Sequence, residues 1–344
     1  MYKGKMSYVL AAVFFVSAII LSSCAAEDSG GGDSGDSITL YSPETPDLSK
    51  ELAEKYEEIH GEKVNVDYAG TNVLVNQMMA EKENPKGDVW YGGGGLLPFE
   101  SAVDKDIITQ YVPEDAEDWE VTENGIKMKH EDDYYTGVEY FVLGFAYNTE
   151  LVSEEEAPET WDDLLDPKWE GEIQFPNPAA SGTSTLMVLS YMMQNGEDEG
   201  WEYFQKLSDQ ANSIPDSGSG PTKGAAMGEA KIAIGFDFMA YEHQANGEDI
   251  DFVVPENTPV LVNPMTLIKD GPNPEGGKKF MDFMLTEEAQ EILASWYHIP
   301  INQDVESETS LSLDKVKDNA VDLDIDWVND NYDRIRDEWK EKIE

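Results

Sequence analysis

The chain has 344 residues, 71 of them Asp or Glu against 23 Lys or Arg, for a formal net charge of -48. Such a polyanion repels both nucleic acid and an anionic membrane surface, so neither is a partner held by charge. The length suits about two domains, 40 % hydrophobic residues supply their cores, and one cysteine excludes a disulfide framework or a Cys-based zinc site.

Lys3 and Lys5 precede an apolar run over residues 9–21, too short to span a bilayer but fitting the apolar region of a secretory signal. The run ends in Leu21-Ser22-Ser23-Cys24, which resembles the lipobox of bacterial lipoproteins. That resemblance implies a signal peptide over residues 1–24, with Cys24 lipidated and first in the mature chain. An uncleaved anchor or a buried helix would explain neither the leading lysines nor the position of the single cysteine. Residues 25–37 are rich in Gly, Ser and Asp without an apolar period, so they read as a flexible tether.

From residue 38 the pattern alternates strand and helix. Residues 38–41 form a short strand, and Leu48, Leu52, Tyr56 and Ile59 recur at helical spacing until Gly61. Residues 64–68 are the next strand, followed by a helix through Met78 and Met79. A third strand, residues 88–91, runs into Gly92, Gly93, Gly94 and Gly95. This alternation predicts a mainly parallel sheet covered on both faces, with ligands outside the C-terminal strand ends. A second α/β unit follows the apolar strand 138–147. It holds a strand at 172–175, helices at 183–193 and 201–207, and a strand at 231–235. A further apolar stretch, residues 260–268, precedes helices at 276–285 and 287–297. Val328, Tyr332, Ile335, Trp339 and Ile343 then share one face of a final helix.

Four segments, in order, carry a family resemblance: Gly87-Asp88-Val89-Trp90-Tyr91-Gly92-Gly93-Gly94, residues 160–171 (TWDDLLDPKWEG), residues 175–183 (FPNPAASGT) and residues 273–283 (NPEGGKKFMDF). Together they resemble the extracellular solute-binding proteins of ABC importers, in the group with ferric-ion, thiamine, phosphonate and sugar-phosphate receptors. The resemblance implies an α/β, two-lobed periplasmic-binding-protein fold of type II with two crossing hinge strands, at residues 138–147 and 260–268. The N-terminal lobe would comprise residues 38–138 completed by 262–344, and the C-terminal lobe residues 139–261. It also implies a membrane permease as partner, an extracytoplasmic location and a monomer, with no cofactor.

Ser181, Gly182, Thr183 and Ser184 open an apolar helix, where free N–H groups and three hydroxyls suit phosphate, phosphonate or carboxylate. A plain N-cap accounts for one of those hydroxyls. Gly93 and Gly94 offer a comparable nest of amides or simply a loop of positive φ. Ser42 and Thr45, and Gly70, Thr71 and Asn72, stand at strand ends in the first lobe, where turns also use such residues. Asp237 and Glu256 suit sugar hydroxyls or an ammonium, or are solvated acids. In ferric-binding relatives two adjacent tyrosines stand near Asp237; here Phe236 and Phe238 flank it, and Tyr134-Tyr135 lies upstream. His60, His130, His243 and His298 lack metal-ligand spacing and read as surface histidines. Enzyme signatures fail: residues 182–186 lack the last glycine of a nucleophile elbow, and residues 130–134 have tyrosine where a zinc protease has its second histidine. The expected function is capture of a small organic anion, such as a sugar phosphate or phosphonate, without catalysis. Ferric ion is the alternative, and an extracellular enzyme is the remaining one.

Overall fold

The computed structural model describes residues 37–343 apart from Asn124. The expected signal segment, Cys24 and the tether up to residue 36 lie outside the described residues. The first lobe opens with β1 (Ser37–Ser42), α1 (Pro46–His60), β2 (Lys63–Tyr68), α2 (Thr71–Glu81), β3 (Val89–Tyr91) and α3 (Leu97–Asp104). After β4 (Ile108–Thr109) and the small hairpin β5 (Thr122–Glu123) and β6 (Ile126–Lys127) comes β7 (Thr136–Asn148), thirteen residues long and buried throughout. The second lobe contributes β8 (Ile173–Gln174), α4 (Gly182–Asn195), α5 (Glu197–Gln210), β9 (Ala211–Ser213) and α6 (Gly220–Ala226). It continues with β10 (Ile232–Phe236), α7 (Asp237–Ala245) and β11 (Ile250–Val253). The chain then returns through β12 (Val260–Ile268) to α8 (Pro274–Met284), α9 (Glu287–Ser295), β13 (Ile299–Pro300), α10 (Leu313–Val316) and α11 (Ile325–Lys342).

The helix ends follow local chemistry. Pro46 starts α1, and Gly61 ends it in the left-handed region at φ 71°, which glycine adopts without steric cost. Asn273 caps α8 by accepting from the Gly276 N–H at 3.0 Å.

The strands form one path, β2-β1-β3-β12-β7-β10-β8-β9. β7 and β12 are the crossings. The first half of β7 pairs with β12 and β13, and its second half, from Leu143 onward, pairs with β10 and β11. β12 pairs with β7 up to Met265, where it also meets β3. A register shift lies between Asn263 and Pro264, whose missing N–H cannot join a ladder. β10 is antiparallel to β7 with Phe236 opposite Leu143, and β3 is antiparallel to β12 with Tyr91 opposite Met265. The C-terminal ends of both lobes' parallel strands therefore point toward the crossing, which places the cleft there.

Two expectations about the fold need correction. The sheet is mixed rather than mainly parallel, because the long crossings β7 and β12 pair antiparallel with each other and with β10 and β3. The final helix, assigned by sequence to the first lobe, packs on the second. Val328, Ile335 and Trp339 of α11 are buried with Trp169, Phe175, Met187 and Phe204. A third passage of the chain precedes it, where Thr258 bridges Ala320.

Candidate functional site

The first-lobe rim is made by three loops that follow β1, β2 and β3. Gly92, Gly93, Gly94 and Gly95 all have positive φ, from 78° to 132°. At Gly92 a Cβ would also collide with the Glu44 side chain, so glycine is required twice over. The Gly93 N–H donates to Glu44 Oε1 at 3.1 Å, and the Thr71 hydroxyl lies 3.4 Å from the Gly93 carbonyl. Gly94 is exposed beside them, while Gly70 and Asn72 are exposed at the start of α2. Ser42 lies beneath the rim, wholly buried, where its Oγ accepts from Ser49 Oγ at 2.9 Å. Thr45 is exposed at the start of α1 and its side chain makes no cap there.

The second-lobe rim is the entry to α4. Ser181 Oγ accepts from the Ser184 N–H at 3.4 Å as the N-cap. Ser184 points inward and its hydroxyl donates to the Pro176 carbonyl at 2.5 Å, so it holds the loop rather than facing the cleft. Gly182 is exposed, and Thr183 is the second residue of α4. The loop before α6 closes on this point: a Cβ on Gly218 would lie 3.3 Å from Ser181 Oγ, and Ser217 and Ser219 flank it within 3.3 Å of each other. The Asn177 N–H donates to the Pro215 carbonyl and ties the two loops together. The Tyr332 hydroxyl of α11 stands where a Cβ on Gly182 would come within 2.8 Å.

Between the rims, the register pairs Glu139 with Asn263 and Phe141 with Leu261, so these four share one face of the crossing strands. Asn263 Nδ2 donates to Glu139 Oε1 and to Glu44 Oε1, both at 2.9 Å. Tyr91 donates to Glu139 Oε1 at 2.8 Å. Burial and then the neighbouring Glu44 push the Glu139 carboxyl well above the usual range, and burial raises Glu44 as well. His298, 3.9 Å from Glu139, is held down to about 4 by burial and stacks on Phe238.

Asp237 and Glu256 are not brought to the two rims. Asp237 is wholly buried and accepts from the Val142 N–H of β7 at 2.9 Å. Its burial raises it to about 7. Glu256 is exposed in the turn before β12. The neighbouring Asn257 carbonyl accepts from Gln194, twelve residues and about 18 Å along α4 from Gly182. Tyr135 is buried in the first lobe and donates to Glu100, while Tyr134 is half-buried beside it and supplies its backbone carbonyl to Thr266. Two histidines expected at the surface, His130 and His298, are buried. Among the described residues no group of three His, Cys, Asp or Glu side chains is placed to hold a metal ion. Glu44, Glu139, Asn263 and Tyr332 were not among the sequence candidates, and the Ser217-Gly218-Ser219 loop read only as a weak one. Glu139 and Asn263 carried a readable signal, each a polar residue inside an apolar strand.

Residues 98–327, two thirds of the chain, match the bacterial extracellular solute-binding protein family. The chain belongs to that family. A putative 2-aminoethylphosphonate-binding periplasmic protein of Salmonella typhimurium is 27 % identical over 248 residues, covering 69 % of this chain and 68 % of the relative. Iron uptake protein A1 of Synechocystis is 25 % identical over 306 residues, covering 83 % and 82 %. The periplasmic binding protein AfuA of Actinobacillus pleuropneumoniae, with exogenous fructose-6-phosphate bound, matches at TM-score 0.77 and 28 % identity, over 89 % of this chain and 98 % of AfuA. This solute-binding protein thus has the two-lobed fold of its group, and its relatives are binding components of importers rather than enzymes. None of its described helices is long and apolar enough to cross a membrane.

Proposed function

We propose that this solute-binding protein captures a small organic anion, a phosphonate or sugar phosphate, between its lobes and delivers it to a membrane permease without chemical change. The observation that carries this reading is the meeting of two polar loops at the N-terminus of α4. Gly182 and Thr183 present helix-start N–H groups there, the Ser181 N–H being spent on the Asn177 carbonyl, and Gly218 closes on Ser181 from the second loop. Such a site holds an oxyanion without arginine, and the chain's two arginines are engaged elsewhere. Arg334 pairs with Glu197 and Glu338, and Arg336 with Asp333 and Asp337. From the other lobe, Thr45, Gly70, Thr71, Asn72, Gly93 and Gly94 complete the enclosure, with Ser42 and Ser184 as supports beneath.

Contacts to both lobes favour the closed state, and that state docks on the permease. A lipid on Cys24 and the tether would keep a monomeric body at the membrane. The phosphonate-named and fructose-6-phosphate-bound relatives support the ligand class. Ferric ion is the second reading, favoured by the iron-uptake relative. The engagement of the Tyr135 hydroxyl with Glu100 inside the first lobe weighs against it.

A thermal-shift panel of hexose phosphates, phosphonates and ferric citrate tests this. Ligand at 100 times its Kd adds about 2.7 kcal/mol, a shift of a few degrees. The Gly218→Val variant, which fills the gap beside Ser181, should lose the shift. A shift with ferric citrate alone would replace the organic anion by iron.

A further inference from the structure

We propose that Glu44 and Glu139, joined through Asn263 on the cleft floor, receive the primary ammonium of a zwitterionic solute whose anionic end sits at the start of α4. This rests on the organic-anion reading above.

The inventory of donors and acceptors points this way. Asn263 has two N–H donors, and both are committed, one to each carboxylate. Tyr91 spends its single donor on Glu139 Oε1, and the Gly93 N–H is spent on Glu44. Three buried atoms of this cluster then lack a hydrogen-bond partner among the described residues: Glu139 Oε2, Asn263 Oδ1 and His298 Nδ1. Glu139 is wholly buried, Asn263 is 3 % exposed and His298 4 %. Leaving such atoms unpaired is costly, and burial without a cation raises both carboxyls toward their protonated form, so what the cluster lacks is positive charge.

No basic side chain among the described residues forms an ion pair with Glu44, and the basic group nearest Glu139 among them, His298, is kept neutral by its burial. An ammonium brings three N–H donors and a charge, with no acceptor to add to the excess. A sugar hydroxyl brings acceptor lone pairs with its one donor and leaves the carboxylates unneutralised. Glu44 is the half-buried member, in the rim loop between Ser42 and α1, and is the group through which the cluster meets the cleft. Phe238, half-buried and stacked 4.6 Å from the His298 ring, supplies an apolar wall for the methylenes of a short linker.

Titration calorimetry of the protein with 2-aminoethylphosphonate and with ethylphosphonate, which lacks the amine, tests the assignment. The amine should tighten binding about tenfold or more, as expected for charged hydrogen bonds. Glu44→Gln, which keeps the acceptor for Gly93 and Asn263, should reduce that preference toward unity; Glu139→Gln should do the same. Should either variant fold poorly by circular dichroism, the wild-type comparison decides alone. Equal affinity for the two phosphonates, or tight binding of fructose-6-phosphate with none of 2-aminoethylphosphonate, would overturn the ammonium site and leave the anion reading standing. Binding of no phosphonate or phosphate ester at all would overturn both.

Discussion

Asp237 offers a sharp test of how the crossing is built. Its carboxyl is wholly buried, bonded to the Val142 N–H of β7, and raised by burial to about 7. Between the unfolded value near 4 and the folded value near 7, the native protein holds a proton that the unfolded chain has released. Stability must therefore fall as pH rises through this window and level off above it. The slope approaches about 1.4 kcal/mol per pH unit inside the window and halves at the folded value, so roughly 2.3 kcal/mol disappears between pH 5 and 7. Asp237→Asn keeps the acceptor for Val142 and cannot ionise. Its buried amide adds a fixed penalty of about 1–3 kcal/mol that does not vary with pH. Urea unfolding of both proteins at pH 5 and pH 8, followed by tryptophan fluorescence, separates the two contributions. Relative to wild type, the variant should gain about 2.7 kcal/mol on going from pH 5 to pH 8. A stability difference that stays constant, or moves the other way, would refute the buried, proton-holding carboxyl.

Two further substitutions probe the packing that sets up the cleft. Gln290 donates to the Val138 and Met284 carbonyls and accepts from the Ile301 and Asn302 N–H groups, so Gln290→Leu should cost about 3 kcal/mol or more in a denaturant melt. Trp339→Ala, in the face of α11 buried on the second lobe, should cost about 3–5 kcal/mol. Hydrogen exchange in the Trp339 variant should quicken in α4 and α5 before α1, and the reverse order would return α11 to the first lobe.

The parts of the fold legible in the sequence are those governed by local chemistry. Gly61 stopped α1 where the periodicity ended, and the apolar run 260–268 coincides with β12. The three rim loops followed from strands running into Gly, Ser and Thr. The placement of α11 was not legible, because its apolar stripe would fit either lobe and the choice is made by Phe175 and Phe204, distant in sequence. Glu44 was hidden between Pro43 and Pro46, where an acid reads as turn polarity. Glu139 and Asn263 become a pair through the antiparallel register of β7 and β12, which no local pattern specifies. His298 likewise owes its burial to the strand that follows it and to Phe238. Ser181 and Gly182 were readable as a helix start, but their second loop, around Gly218, joined them only through tertiary contact.

The central claim is capture of an organic anion by closure of two lobes about β7 and β12. Small-angle X-ray scattering of the protein, with and without the phosphonate or sugar phosphate that raises its melting temperature most, tests it directly. The account predicts a smaller radius of gyration with ligand, and no contraction in the Gly218→Val variant. An unchanged radius at saturating ligand, or contraction with ferric citrate and with no phospho-compound, would contradict it.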